Sequence, residues 1–222
     1  MIIFIPDPCP NAEGKLVSFA HRGLNVSDTQ RHLMIDIGLS IAIAGVSIGK
    51  YVKLVQKAVQ AHSWDSIRIV VPDAFDNWPK TVELWRRYAP VLKRYGQLMF
   101  VAQELIPPPA DLDPPPDIVA LPARRQGCCD CAHEPLRCAQ RIGGFLWLYR
   151  DRYRIHLLGP ALRTLRFLNR WGDTKLIESF DTASYRRAPT KADKQENGGA
   201  WQIRTTMQAC KWLESWLKLM YD

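Results

Sequence analysis

The stretch Ser179-Phe180-Asp181-Thr182-Ala183-Ser184-Tyr185 decides how this chain is read. The apolar pair Leu176-Ile177 leads into it and Arg186-Arg187 follow it. The pattern predicts a short buried strand that delivers one carboxylate at its carboxyl end, then turns through small and hydroxylated residues. An α/β barrel puts its chemistry at that position, because the loops after its strands all open on one face. A cap on a following helix is the structural alternative for Asp181. The choice turns on whether other strands end in groups that converge with it.

Working outward, eight segments read as strands: residues 2–6, 16–20, 33–37, 67–72, 98–102, 117–122, 154–158 and 176–180. Near-continuous apolar runs of this kind suit strands buried on both faces of a parallel sheet. Helical stripes lie between several of them. Residues 50–62 carry Tyr51, Leu54, Val55, Ala58 and Val59 on one face, and residues 80–95 carry Val82, Trp85, Tyr88 and Leu92 after Pro79. Residues 136–150 and 161–171 follow, and residues 205–221 form a C-terminal helix whose stripe Met207, Cys210, Leu213, Leu217 and Met220 is predicted to face the core. Gly143-Gly144 falls inside one of these helical patterns.

Alternating strands and helices imply an α/β fold. Eight strands point to a compact, irregular (β/α)8 TIM-like barrel forming a single domain over residues 1–222. The nine residues between the first two strands leave no room for a helix. The first strand is therefore expected to be a barrel-bottom plug or part of an added hairpin. An open doubly wound sheet is the alternative, and the lack of a Gly-rich dinucleotide fingerprint after any strand weighs against it. The proline-rich run over residues 107–116 predicts a stiff connector in place of the helix after the fifth strand. Residues 189–200, polar and rich in breakers, are expected to form a mobile loop near the site mouth.

Composition narrows the classes. A chain of 222 residues with 47% hydrophobic and 23% charged residues suits a globular domain, and no apolar run approaches a membrane span. Met1-Ile2-Ile3-Phe4-Ile5-Pro6 lacks the basic region of a signal peptide and reads as a first strand. A net charge of +8 favours an anionic partner, of which nucleic acid is the commonest. Six cysteines, four of them at Cys128, Cys129, Cys131 and Cys138, do not have the spacing of a secreted disulfide framework, so a reducing cytoplasm is expected. Cys128, Cys131, His133 and Cys138 are a candidate structural zinc set, with reduced loop thiols as the alternative. Trp85 and Trp147 are read as core residues. Trp78 and Trp201 are placed in loops, where stacking on bases is one use and packing the other.

The predicted strand ends carry a series. His21 and Arg22 follow the second strand, Asp36 ends the third, Asp73 follows the fourth and Gln103 the fifth. Leu121-Pro122-Ala123 ends the sixth, His156-Leu157-Leu158-Gly159 the seventh and Asp181 the eighth. This ordered set resembles the tRNA-guanine transglycosylases and their DNA-modifying relatives that insert 7-deazaguanines. Phe180–Tyr185 is similar to the Phe-Asp-Ser-Ala-Ser-Tyr motif of archaeal members. Asp36-Ile37-Gly38 occupies the place of their Asp-Ser-Gly, and Leu157-Leu158-Gly159 that of their Leu-Met-Gly. Ala120-Leu121-Pro122-Ala123 stands where they have Gly-Gly-Leu. The resemblance spans roughly residues 16–187 and includes neither their C-terminal zinc subdomain nor an RNA-binding domain. That favours DNA over tRNA.

The resemblance implies a base-exchange enzyme that needs no cofactor for its chemistry. Asp181 would be the nucleophile and Asp36 the acid and base. Asp73 and Gln103 would read guanine or a 7-deazaguanine, with Leu121, Leu158 and Gly159 lining the base site and Phe75 against its plane. Arg124, Arg125, Arg186 and Arg187 would hold the nucleic-acid backbone, and the short chain leaves room for a partner protein. Two other classes are open: a nucleic-acid-binding barrel without catalysis, and a metal-dependent hydrolase using Asp36, Asp73, His156 and Asp181. Turn chemistry for Asp36 and Asp73 and structural hydrogen bonding for Gln103 are the plainer readings. For His156 the plainer reading, that of a satisfied core histidine, is the expected one.

Overall fold

The structure, a computed structural model, describes residues 1–18, 24–37, 47–123, 125–126, 129–130, 134–182, 186, 190–196 and 205–222. Eight parallel strands close into a barrel: β1 (Ile2–Ile5), β2 (Gly14–Ser18), β3 (His32–Asp36), β4 (Ser66–Val70), β5 (Gln97–Val101), β6 (Ile118–Pro122), β7 (Arg154–Leu158) and β8 (Ser179–Asp181). Among the described residues, α-helices follow five of them. These are α1 (Ile48–Gln60) after β3, α2 (Trp78–Leu92) after β4, α3 (Pro135–Tyr149) after β6 and α4 (Leu162–Arg170) after β7. After β8 come α5 (Lys191–Glu196) and α6 (Thr206–Tyr221). This is a (β/α)8 TIM-like barrel, and the described part of the expected mobile loop contains α5.

The first strand corrects the expectation placed on it. β1 is neither a plug nor part of a hairpin; it pairs in parallel with both β2 and β8 and closes the barrel. The seam lacks a helix between β1 and β2, and α6 supplies apolar cover instead. Ile5, Cys9, Ala12 and Phe180 share one buried core with Trp212 and Trp216, and the Phe180 and Trp216 ring centroids are 6.0 Å apart. Lys15, fully buried beside the β1–β2 connection, donates from Nζ to the Pro6 carbonyl at 2.6 Å. Burial pulls its ammonium down to about 8.

Strand register dictates what fills the barrel. Followed from Phe4 through its successive partners, the pairing returns to β1 displaced by eight residues, the shear of a (β/α)8 barrel. Alternate strands therefore fill alternate layers. Gly14, Arg68, Ile118 and Ser179 form one, Phe4, Met34, Met99 and His156 the next, and Leu16, Val70, Ala120 and Asp181 the one above. The apolar members pack as a separate core from the two that lie between strands and helices.

The proline-rich connector does replace a helix. Trp78 and Trp85 of α2 donate their indole N–H groups to the carbonyls of Pro107 (3.3 Å) and Pro114 (2.9 Å), and Leu112 is buried in the outer core. Trp78 is thus a helix residue and not a loop one. Two helical faces differ from expectation. In α6 the buried set is Ala209, Trp212, Leu213, Trp216 and Met220, while Met207 is 81% exposed. Burying two indoles outweighs burying the thioether. Trp147 is not a core residue but 56% exposed, with its Nε1 donating to Asp173 at 2.8 Å and Arg150 over its ring.

Gly14 tests the layering. A Cβ there would lie 2.4 Å from Cδ1 of the Phe4 ring, which is held between Arg68 and His156. Gly14→Ala is expected to cost about 1–3 kcal/mol in urea unfolding through overpacking. An unchanged midpoint would show that the ring does not fill this layer.

Candidate active site

The site lies where the carboxyl ends of the strands open, and three of its groups are placed by loops that the sequence itself braces. Asp73 follows β4 in a turn fastened to the start of α2. The N–H of Ala74 donates to Thr81 Oγ1 at 3.0 Å, and Asn77 caps α2 by accepting from Lys80 N at 2.9 Å. Asp76 in this turn has φ of 50°, a left-handed conformation that short polar side chains tolerate. Its N–H donates to Gln103 Oε1 at 3.1 Å. Gln103, only 2% exposed, donates from Nε2 to Asp73 Oδ2 at 2.6 Å. Glu104 and Leu105, the next two residues, are also left-handed, with φ of 57° and 58°. Each such residue costs about 1–2 kcal/mol, a strain concentrated at the turn that seats Gln103.

The predicted pair Asp73 and Gln103 therefore meets, but not as two independent readers. The amide spends its oxygen on Asp76 and one N–H on Asp73, so Gln103 orients Asp73. Asp36 ends β3 close enough to repel it. Burial first, and the Asp36 charge second, push the Asp73 carboxyl up to about 7, against the bond from Gln103. Tyr51 of α1 stands behind both. Its hydroxyl faces the carbonyls of Val70 at 2.7 Å and Ile35 at 3.1 Å, and burial, Asp36 and Asp73 all raise its proton affinity. Read from sequence as one member of an apolar stripe, Tyr51 is the polar brace beneath the two carboxylates.

Asp181 ends β8 with its side chain 13% exposed. Its Oδ1 accepts from the Gly159 N–H at 2.9 Å and faces His156 Nε2 at 3.2 Å. Gly159 has φ of 55°, the left-handed conformation that suits glycine, and this turns its N–H toward β8. His156 is fully buried, and its Nδ1 lies 2.8 Å from Ser179 Oγ. Ser179 in turn accepts from Arg68, which also donates to Glu178. Arg154 holds the other side of Glu178, whose acidity survives partial burial because of its bonds to Arg154 and the charge of Arg68. His156 is the satisfied core histidine expected of it, and it also touches the candidate nucleophile. Arg68 and Ser179 were given no role from sequence. The readable signal was Arg68 itself, a charge between Ile67 and Ile69 in a strand buried on both faces.

Other expected residues fall differently. Leu158 is partly exposed and packs with the barrel interior. Leu121 is fully buried in the outer core shared by Ile142 and Leu146, on the opposite face of β6, so it does not line the mouth. Period-2 alternation makes its neighbours Ala120 and Pro122 the inward residues. Arg186 forms a two-pronged ion pair with Asp7, Nε to Oδ2 at 2.9 Å and Nη2 to Oδ1 at 2.8 Å. Arg125 lies in a two-residue strand paired with Cys129–Asp130 after β6. His21, Arg22, Arg124, Arg187, Cys128, Cys131, His133 and Trp201 lie outside the described residues. Cys138 is buried and disulfide-bonded. Among the described residues no three of His, Cys, Asp and Glu stand where they could share one metal ion, and no helix is long and apolar enough to cross a membrane.

Comparison with family models, curated proteins and solved structures finds no match for the chain.

Asp73 should leave a mark on stability. Its folded-state proton affinity exceeds that of an unfolded carboxyl, so folding takes up a proton between the ordinary value of 3.8 and about 7. Wild-type stability falls through that window as pH rises and is level above it. Asp73→Asn cannot titrate, so its stability relative to wild type should rise between about pH 4 and about pH 7 in urea unfolding and then level off. Parallel pH profiles would show that Asp73 ionises normally.

Proposed function

We propose that this barrel is a base-exchange glycosyltransferase, replacing guanine in a nucleic acid with a 7-deazaguanine. DNA is favoured over tRNA, and the cytoplasm is the expected compartment. The observation that carries the reading is Asp181. It is a carboxylate at the carboxyl end of β8, one oxygen held by the turn Leu157-Leu158-Gly159, within the motif Phe180-Asp181-Thr182-Ala183-Ser184-Tyr185. The acidic pair Asp36 and Asp73, at the carboxyl ends of β3 and β4 in the same barrel, supports the reading.

The steps balance as follows. A free oxygen of Asp181 attacks the anomeric carbon of a flipped-out guanosine, and the carbon–nitrogen bond breaks with its electron pair leaving on guanine. Asp36 supplies the proton that neutralises the departing base. The incoming 7-deazaguanine then yields its ring N–H proton to Asp36 and displaces the Asp181 ester. No net proton is gained or lost. Asp73, steadied by Gln103, accepts from the N1–H and exocyclic amine of the base, which rests against Leu158. A nucleic-acid-binding barrel without catalysis is the second reading. It is favoured by the commitment of the Gln103 amide to Asp73 and Asp76, which lessens what remains to read O6.

Incubating the protein with guanine-containing DNA or tRNA and labelled guanine should give exchange and a trappable covalent adduct on Asp181, both lost in Asp181→Asn. An adduct absent with both substrates, or mapped to another residue, would sink the enzyme reading; salt-sensitive binding without exchange would then favour the second.

Base binding should also be pH-dependent. The two N–H donors of guanine favour ionised Asp73, so affinity should rise about tenfold per pH unit below about 7 and level off above it. Calorimetry in buffers of different ionisation enthalpy should detect proton release, and Asp73→Asn should abolish it. A flat affinity profile in wild type would remove Asp73 from the base site.

A further inference from the structure

One polar line crosses the layered interior of this barrel on its β7–β8 side. Arg68 and Ser179 share one layer, His156 belongs to the next and Asp181 to the one above, and hydrogen bonds join these layers in sequence. Below them Glu178 and Arg154 anchor Arg68 at the amino ends of the strands. Buried polar groups are costly unless bonded, and every member here makes at least one bond, although Arg68 Nε makes none. Apolar residues of similar size at Arg68, His156 and Ser179 together would pack the interior at no such cost. Retaining them places a directed chain of donors under the candidate nucleophile.

The direction follows from chemistry. A guanidinium only donates, so Ser179 Oγ accepts from Arg68. The single Ser179 hydroxyl proton is then available for His156 Nδ1, 2.8 Å away. With Nδ1 accepting, the ring proton sits on Nε2 and points at Asp181 Oδ1, 3.2 Å away. The reverse tautomer would set the Nε2 lone pair against the carboxylate. Gly159 N–H reaches the same oxygen at 2.9 Å. Among the described residues, Oδ2 of Asp181 accepts no hydrogen bond.

We propose that His156 is the positioning residue of the nucleophile: in its Nε2–H tautomer, set from the barrel floor by Arg68 and Ser179, it ties down Asp181 Oδ1 and leaves Oδ2 as the attacking atom. This rests on the base-exchange reading. The geometry also defines which oxygen stays a carbonyl in the covalent ester. As Oδ2 bonds to the sugar carbon and guanine departs with the bonding pair, negative charge drains from Oδ1. When the ester breaks, the charge returns to Oδ1, where two fixed N–H donors receive it. The charged groups facing His156 are Asp181 and Glu178, which favour its protonation, and Arg68, which opposes it; burial dominates and keeps the ring neutral.

The test combines a spectroscopic and a kinetic readout on the full chain. Nitrogen NMR of protein carrying labelled histidine should place His156 in the Nε2–H tautomer, with its titration displaced below that of an ordinary histidine. With DNA or tRNA and labelled guanine, His156→Phe should lower kcat about 10- to 100-fold with KM little changed, as for the loss of one fixed donor. His156→Gln, which can aim an N–H along the same line, should recover most of the loss. Ser179→Ala should increase the Nδ1–H population. An Nδ1–H tautomer in wild type, a ring that titrates at its ordinary value, or full activity in His156→Phe overturns the proposal. If His156→Phe fails to fold, a His156→Gln variant as slow as Asp181→Asn overturns it as well. Wild-type protein that exchanges no base on either nucleic acid fails the underlying reading, and the proposal with it, whatever the tautomer.

Discussion

Closure through β1 is the constraint on which the rest depends. A parallel sheet of eight strands can form a barrel only if its first strand pairs with its last at a fixed shear, and here β1 bonds both β2 and β8. That register decides which side chains enter the interior. A slip of one residue in β8 would turn Asp181 outward and Phe180 inward, because side chains alternate with period two. The candidate chemistry is thus a product of the closing register as much as of the residue itself. Phe4 couples the two directly: it pairs with Asp181, and its ring fills the space left by Gly14.

Electrostatics then divides the interior into two regions. On the β7–β8 side, a chain of donors runs from the Arg68–Glu178 pair to Asp181. A buried ion pair of this kind is weak evidence for stability, since desolvation consumes most of its attraction. Its evident product is direction, because each proton position is set by the one beneath it. On the β3–β5 side, Asp36 and Asp73 crowd each other over Tyr51, and burial and mutual repulsion leave Asp73 poised near neutrality. Two carboxylate environments of opposite character stand at the carboxyl ends of the strands, one with an oxygen held by two fixed donors and one pressed by burial and a neighbouring carboxylate. Acid–base exchange asks for such an arrangement.

The strands were legible because apolar runs buried on both faces leave a plain signature, and all eight formed. The role of β1 was not legible, since the cover for its seam comes from α6, far along the chain, and no local pattern announces that. The face of α6 was misjudged because a stripe at helical spacing can be drawn through Met207 and Cys210 as readily as through Trp212 and Trp216; only the neighbours decide. At the site, Asp36, Asp73, Gln103 and Asp181 were visible as strand-end polar residues. The bonds between them were not, so Gln103 was expected to face a base when its amide grips Asp73. Leu121 was placed on the wrong face of β6 because the alternation was not carried from Ala120 to Pro122. Arg68 was overlooked inside an apolar run, where a lone charge is itself the signal.

The seam between β1 and β8 also has a kinetic meaning. Phe4 and Asp181 stand at opposite ends of the described barrel sequence, and Asn11 reaches to Glu214 of α6 at 2.7 Å. Such long-range parallel pairing is slow to form, because a large loop must close before any contact repays it. Until it does, β1 and its partners expose unpaired strand edges, which invite association with other chains. The layer that seats Asp181 is completed by the same event. Partly folded molecules would therefore carry the acidic pair over Tyr51 without a positioned Asp181, and the candidate site would be complete only with the last closure.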